Sequence, residues 1–166
     1  MDIQNISVTY QVRRLNHEDL EQIYLLSCSN PEFYQYHPPF VTRESILEDM
    51  TALPPGKSLE DKFYIGFWKD NVLTALMDLI WAYPERDTAF IGLFMVHASF
   101  QAQGIGSAIF DEAWEFLIKS GFTRIRLAVD QGNPQSEGFW SKNGFHKTGE
   151  LFPWEQGCYI VMEKVR

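Results

Sequence analysis

Residues 88–110 read TAFIGLFMVHASFQAQGIGSAIF, and the reading of this stretch decides the fold. Thr88–Val96 is a continuous apolar run, the pattern of a strand buried on both faces and so expected near the centre of a sheet. A polar loop follows. Gly104-Ile105-Gly106-Ser107 then opens a helix predicted over Gly104–Ser120. Ile105, Ile109, Ala113 and Leu117 recur at every fourth position, Ala108 and Phe116 widen the stripe, and Asp111, Glu112, Glu115 and Lys119 are expected to face water. Gly121 supplies the stop. The two glycines allow a ligand close to the backbone, and the first helical turn offers unpaired N–H groups and a positive dipole end. Strand, coil and helix together suit a phosphate or pyrophosphate. From Thr88 to Phe110 no side chain carries a formal charge apart from His97, so anion binding here would be backbone-driven.

The flanks supply the other elements. On the N-terminal side, Ser7–Arg14 alternates as a half-buried first strand. Asn16 caps a helix, with Leu15 stapling to Leu20. Asn30-Pro31 and Pro38-Pro39 punctuate a loop over Asn30–Val41 that is rich in aromatic rings. Thr42 caps a short helix, and Lys62–Trp68 and Val72–Tyr83 form a hairpin across Lys69-Asp70-Asn71. On the C-terminal side, Thr123–Val129 is a strand, Pro134–Lys142 a helix, and Phe145–Leu151 and Gly157–Val165 a closing strand pair around Pro153–Gln156. The order is β α α β β β α β α β β. With 166 residues and no linker or repeat, one domain over 1–166 is expected, of α/β (α+β) class: a single mixed, mostly antiparallel sheet flanked by helices.

Charge narrows the function. The chain carries 22 acidic and 14 basic residues, a net charge of −8, without a Lys/Arg cluster, so a nucleic-acid partner is not expected. Two cysteines, Cys28 and Cys158, are too few for a disulfide framework or metal cluster and read as packed structural residues. No metal is expected. The longest apolar run falls far short of the ~20 residues that span a bilayer, and the N-terminus lacks a secretory pattern, so no membrane partner and a cytoplasmic location are expected.

A dinucleotide-binding fingerprint G-x-G-x-x-G competes for the same glycines. Gly104 and Gly106 match it, and Asp130 has the spacing of a ribose-binding acid. Ile109 replaces the third glycine, seven residues separate Val96 from Gly104, and only 36 residues follow Asp130. That reading, an NAD(P)-dependent oxidoreductase, is the weaker one.

Gln101-Ala102-Gln103-Gly104-Ile105-Gly106 resembles the pyrophosphate motif Arg/Gln-x-x-Gly-x-Gly/Ala of the GNAT superfamily of N-acetyltransferases. Asn133, Ser136, Phe139-Trp140 and Gly144-Phe145 are similar to its downstream Asn-x-x-Ala-x-x-x-Tyr-x-x-x-Gly-Phe pattern. The element order suits the family as well, so the resemblance covers nearly the whole chain. It implies a GNAT-like acyl-CoA N-acyltransferase fold and an acyl-CoA-dependent acyltransferase that moves an acetyl group from acetyl-CoA, as co-substrate, directly to a primary amine. Acetyl-CoA would lie in a V-shaped opening between the strands ending at Val96 and Val129. Phe94, Met95 and Val96 would pair with the pantetheine arm. Gln101, Ala102, Gln103, Gly104, Ile105, Gly106 and Ser107 would hold the pyrophosphate, with Asn133, Trp140 and Lys142 as further contacts. A backbone group near Val96 would stabilise the oxyanion.

Two departures leave the catalytic residues unknown. Trp140 stands where the family has a Tyr acid, and an indole carries no acidic proton near neutrality. Phe90 stands where some members carry a Glu base. The candidates are Asp78, His97 and Ser136. The acceptor would bind between Phe33–Phe40 and Leu151–Gln156, with Phe33, Tyr36, Phe40, Trp154 and Glu155 as contacts. Rings with Glu150 and Glu155 suit a cationic amine on a small molecule or peptide, while the same surface also suits a lid or a homodimer contact. The missing Tyr motivates an alternative reading, a non-catalytic acyl-CoA-binding sensor or interaction module.

Overall fold

A computed structural model describes residues 2–166 of the chain. Asp70 and Asn71, both left-handed at φ 51° and 62°, make the tight turn expected between β2 (Lys62–Lys69) and β3 (Val72–Ile80). Two consecutive left-handed residues match the strand twist of a two-residue hairpin. The first strand, β1 (Gln11–Arg14), is shorter than the alternation predicts. Ser7 Oγ accepts the N–H groups of Thr9 and Tyr10, and Glu112 takes the N–H of Val8 and the hydroxyls of Ser7 and Thr9. Those bonds divert the backbone from the ladder, so Glu112 is tied to the chain start rather than left in water.

Asn16 forms a reciprocal capping box with Asp19 across a short 3-10 turn, and α1 (Leu20–Cys28) follows. Asn30-Pro31, read from sequence as a loop signal, instead starts a helix, α2 (Pro31–Tyr36), because proline at the first helical position gives up an N–H that has no partner there. Thr42 caps α3 (Arg43–Thr51) through a box with Ser45. The remaining elements are β4 (Thr88–Val96), α4 (Ile105–Lys119), β5 (Arg124–Asp130), α5 (Pro134–Lys142), β6 (His146–Trp154) and β7 (Gly157–Val165).

The strands form one seven-stranded sheet in the order β1-β2-β3-β4-β5-β7-β6. Every pairing is antiparallel except β4 with β5. Alternation along β2 sends Phe63, Ile65 and Phe67 into a core with Ile109, Phe110 and Leu117 of α4 and Trp140 of α5. It sends Tyr64 and Trp68 to the opposite core, with Ile23 and Leu26 of α1 and Ile46 of α3. The mostly antiparallel sheet excludes the doubly wound arrangement that the dinucleotide reading requires. No described helix is long and apolar enough to cross a membrane.

Candidate active site

β4 lies fourth of seven strands, as its apolar run predicts, yet its middle is not buried on both faces. It pairs with β5 only from Thr88↔Arg124 to Ile91↔Leu127. On its other side, Leu79 faces Ile91 and Asp78 faces Leu93, so Gly92 is the extra residue of a β-bulge. A side chain there would force its surroundings to shift, since a Cβ would sit 2.7 Å from Asp78 Oδ2. The bulge bends β4 away from β5 at the point where their pairing stops. His97 N–H donates to the Thr74 carbonyl, so by strand alternation Phe94 and Val96 turn their main-chain groups toward the opening.

Two cavities flank this splay. The first, about 320 Å³, lies among the end of β4, the 97–104 loop, α4 and α5. Gly104 is left-handed at φ 76° and a Cβ would meet nothing within 4 Å, which leaves open space beside the helix start. No side chain caps α4. The N–H groups of Ile105, Gly106 and Ser107 have no acceptor among the described residues. Gly106 serves packing instead: its Cβ would come 3.1 Å from the Phe139 ring and 3.4 Å from Val96. The described lining holds no carboxylate and one cation, Lys142.

Gln101 behaves differently from its neighbours in the motif. Its amide donates inward, to Asn30 Oδ1 at 2.5 Å and to the Val96 carbonyl at 2.8 Å. Asn30 also donates to that carbonyl at 3.1 Å and to Leu26. The side chain therefore latches the loop to the ends of α1 and β4, and the Val96 carbonyl is already satisfied. Gln103 is exposed and bonds to the Ser99 carbonyl. Asn133 is buried as the cap of α5, accepting from Ser136 N–H, while its amide nitrogen is buried without a partner.

The second cavity, about 370 Å³, opens on the other side and has the opposite character. Asp49 of α3, Asp78 of β3 and Asp130 of β5 line it together with Tyr34, Tyr64 and Tyr159. Lys62, with a side chain only 3% exposed, donates to both Asp78 oxygens at 2.7 and 2.8 Å. Burial still raises the Asp78 carboxyl above its usual range, against the pull of Lys62. Asp49 is raised as well, by desolvation and then by the charge of Asp78. Burial pushes the Tyr34 phenol up to about 12 and raises that of Tyr64 further, with Asp49 and Asp78 adding to the latter. His37 Nδ1 lies 3.1 Å from Asp130 Oδ2, and its ring neighbours Phe33, Trp154 and Tyr159.

Phe33, Phe94, Ser136 and Trp140 border both cavities, so the two spaces meet there. The Ser136 hydroxyl has no hydrogen-bond partner among the described residues. Met95 and Ala102 border the first cavity only. Of the sequence-derived catalytic candidates, Ser136 lies at the meeting point and Asp78 in the second cavity beside Lys62. His97 lies outside both described linings, its Nδ1 accepting from Ser99 N–H at 3.2 Å.

Of the acceptor candidates, Phe33 lines both spaces, and Trp154 stacks on Tyr159 at 5.4 Å behind His37. Tyr36, Phe40 and Glu155 are absent from both linings, with Glu155 exposed on the β6–β7 turn. Glu150 is paired with Arg126. Asp49, Asp130 and His37 escape a sequence reading as parts of this site because its lining arrives from separate segments of the chain. A charge inside an apolar strand is the one signal available, and Asp78 alone gives it.

The model of the acetyltransferase (GNAT) family matches residues 18–145. No curated protein sequence matches the chain. Among solved structures, the PaiA N-acetyltransferase from Thermoplasma acidophilum in complex with coenzyme A superposes with a TM-score of 0.67 at 21% identity, covering 96% of this chain and 100% of that one. Ard1 from Thermoplasma volcanium gives 0.69 at 20%, covering 95% and 98%. The ribosomal-protein-S18-alanine N-acetyltransferase from Escherichia coli gives 0.64 at 17%, covering 93% and 92%. At such identities these likenesses speak for the fold.

Proposed function

The chain belongs to the acetyltransferase (GNAT) family, and on that premise we propose that it transfers an acetyl group from acetyl-CoA directly to the primary amine of a cationic small molecule or peptide. It would act as a single domain over residues 1–166, in the cytoplasm. The observation that carries this reading is the meeting of two cavities of opposite electrostatic character at Phe94, Ser136 and Trp140.

The first cavity suits the thioester substrate. The unclaimed N–H groups of Ile105, Gly106 and Ser107 would receive the pyrophosphate at the positive end of α4, with Lys142 beside it. Phe94 and the N–H of Val96 would pair with the pantetheine arm, the Val96 carbonyl being held by Asn30 and Gln101. That would bring the thioester to the meeting point. A main-chain N–H of β4 would stabilise charge on its carbonyl oxygen. The Ser136 hydroxyl borders both spaces and would serve the departing thiolate, which the indole of Trp140 cannot.

The second cavity suits a cation. Three carboxylates against Lys62 leave it negative, and raised carboxyls at Asp49 and Asp78 mark charge that a bound ammonium would relieve. The tyrosines add ring faces for the acceptor's cationic group. The test is thiol release from acetyl-CoA across a panel of monoamines, diamines and short peptides. Activity should concentrate on acceptors with a second positive charge. Tight binding of coenzyme A with no turnover on any amine would instead support the sensor reading.

A further inference from the structure

We propose that His37, oriented by Asp130, is the base that takes the proton from the acceptor ammonium. This inference rests on the acetyl-transfer reading above. Only a free amine carries the lone pair that attacks a thioester, and an alkyl ammonium with a pKa near ~10.4 arrives protonated. Its proton needs an acceptor inside the second cavity.

The dyad is built from distant parts of the chain. His37 follows α2, and Asp130 ends β5, where that strand has parted from β4. His37 Nδ1 stands 3.1 and 3.3 Å from the two Asp130 oxygens. The Asp130 side chain is 8% exposed and that of His37 is 38% exposed. A carboxylate can only accept, so Nδ1 carries the proton it donates, and Nε2 is left as the acceptor. Nε2 has no protein partner among the described residues. The ring cannot turn freely, because Phe33 and Trp154 flank it at 5.4 and 5.3 Å and Tyr159 lies at 6.1 Å. Phe33 also borders the first cavity, so the imidazole stands one ring away from where the two spaces meet.

The charged and titratable groups facing His37 are Asp130 from β5, Asp49 from α3 and Tyr159 from β7. The other carboxylate of the cavity is less suited to the task, because Asp78 is held by Lys62. A carboxylate is also a far weaker base than an imidazole against an ammonium. Arrangement of a base by a buried acid is the logic of a catalytic dyad, with Asp130 as the positioning residue.

The protons balance. One leaves the ammonium for Nε2 and passes to solvent. The amine nitrogen then bonds to the acyl carbon, the C–S bond breaks, and the second proton lost from nitrogen ends on the thiolate sulfur. The products are the amide, the free thiol and one proton in solution.

The experiment uses the full chain with two active amines of different basicity. His37→Gln should lower kcat/KM by roughly 10²-fold while calorimetric affinity for coenzyme A stays unchanged. The acid limb that moves with the amine should persist, and the limb common to both amines should vanish. Added imidazole should restore activity to His37→Ala, which a purely structural role would not allow. Asp130→Asn should cost about tenfold, and nitrogen NMR of the ring should show Nδ1–H in the wild type and a changed tautomer in this variant. An active wild type whose His37→Gln form keeps its rate and its common limb overturns the dyad alone. So does a spectrum with Nδ1 unprotonated at working pH, a result that stands even if the glutamine variant misfolds. A wild type that releases no thiol with any amine overturns the acetyl-transfer reading, and the dyad with it.

Discussion

The two cavities beside β4 are near equals in size, about 320 and 370 Å³, but they are made in opposite ways. The first is mostly one continuous stretch, the end of β4 and the coil into α4, lined by main-chain groups and closed by α5. The second is assembled from α2, α3, α5, β2, β3, β4, β5 and β7, and its character comes from side chains. A site made of backbone depends on glycine and helix geometry and tolerates change in the side chains that point elsewhere. A site made of side chains can be retuned one residue at a time without disturbing the fold. That contrast fits a shared thioester donor on one side and an individual acceptor on the other.

The sharpest way to break the comparison is to close the first cavity alone. In Gly106→Val the new carbons would meet Phe139 and Val96, where even a Cβ would already sit at 3.1 and 3.4 Å. Coenzyme A affinity should fall about 100-fold, equivalent to ~2.7 kcal/mol, in calorimetry, while Asp49 and His37 keep their surroundings. Equal loss of affinity for an acceptor measured without donor would show that the cavities are not separable.

Next in size is Gly92→Ala, which strikes the element the cavities share. The methyl group would meet Asp78 at 2.7 Å, with Lys62 pinned behind it. Overpacking of this kind costs ~1–3 kcal/mol, read in denaturant midpoints, and kcat should fall with it. Lost stability with kcat unchanged would mean that the bulge positions nothing.

Asp49→Asn addresses the second cavity alone. Loss of a charge-assisted contact should raise KM for a cationic acceptor about tenfold, the equivalent of ~1.4 kcal/mol, with coenzyme A binding untouched. Stability should move the other way. The Asp49 carboxyl is raised in the fold, so the folded state binds that proton more tightly than the unfolded chain does. Its charged form is therefore a cost above the folded pKa, relieved as pH falls toward the unfolded value near 3.8. The asparagine variant should melt slightly higher at neutral pH and lose that advantage in acid. The smallest effect belongs to Ala102→Gly, at a left-handed residue with φ 57°. Relief of backbone strain and the greater freedom of glycine in the unfolded chain nearly cancel, so the midpoint should move by less than about 1 kcal/mol.

The same contrast explains what could be read from the residues in order. The hairpin at Asp70-Asn71, the cap at Thr42, the helix Pro134–Lys142 and the coil into α4 are local, and spacing, turn chemistry and capping signals decide them. β4 gave its place in the sheet but not its exposure, because a continuous apolar run does not record where a neighbour departs. α2 was hidden because Asn-Pro reads equally as a turn and as a helix start. The pairing of His37 with Asp130 spans 93 positions and depends on sheet order, for which no local pattern exists. Glu150 and Glu155 lie near the acceptor side in sequence, yet one is engaged by Arg126 and the other projects from the turn. Proximity along the chain is a poor guide to where carboxylates gather.

The parting of β4 from β5 also bears on how the protein behaves when empty. A sheet normally keeps its open ladders at its two margins, where charge and curvature guard them, but here one lies in the interior, at Phe94 and Val96. Any extended segment that reaches it would compete on the same terms as the pantetheine arm proposed to pair there, including a frayed tail from another copy. Preparations kept loaded with coenzyme A should therefore resist clumping better than stripped ones, the ligand serving as a removable strand that keeps neighbours out.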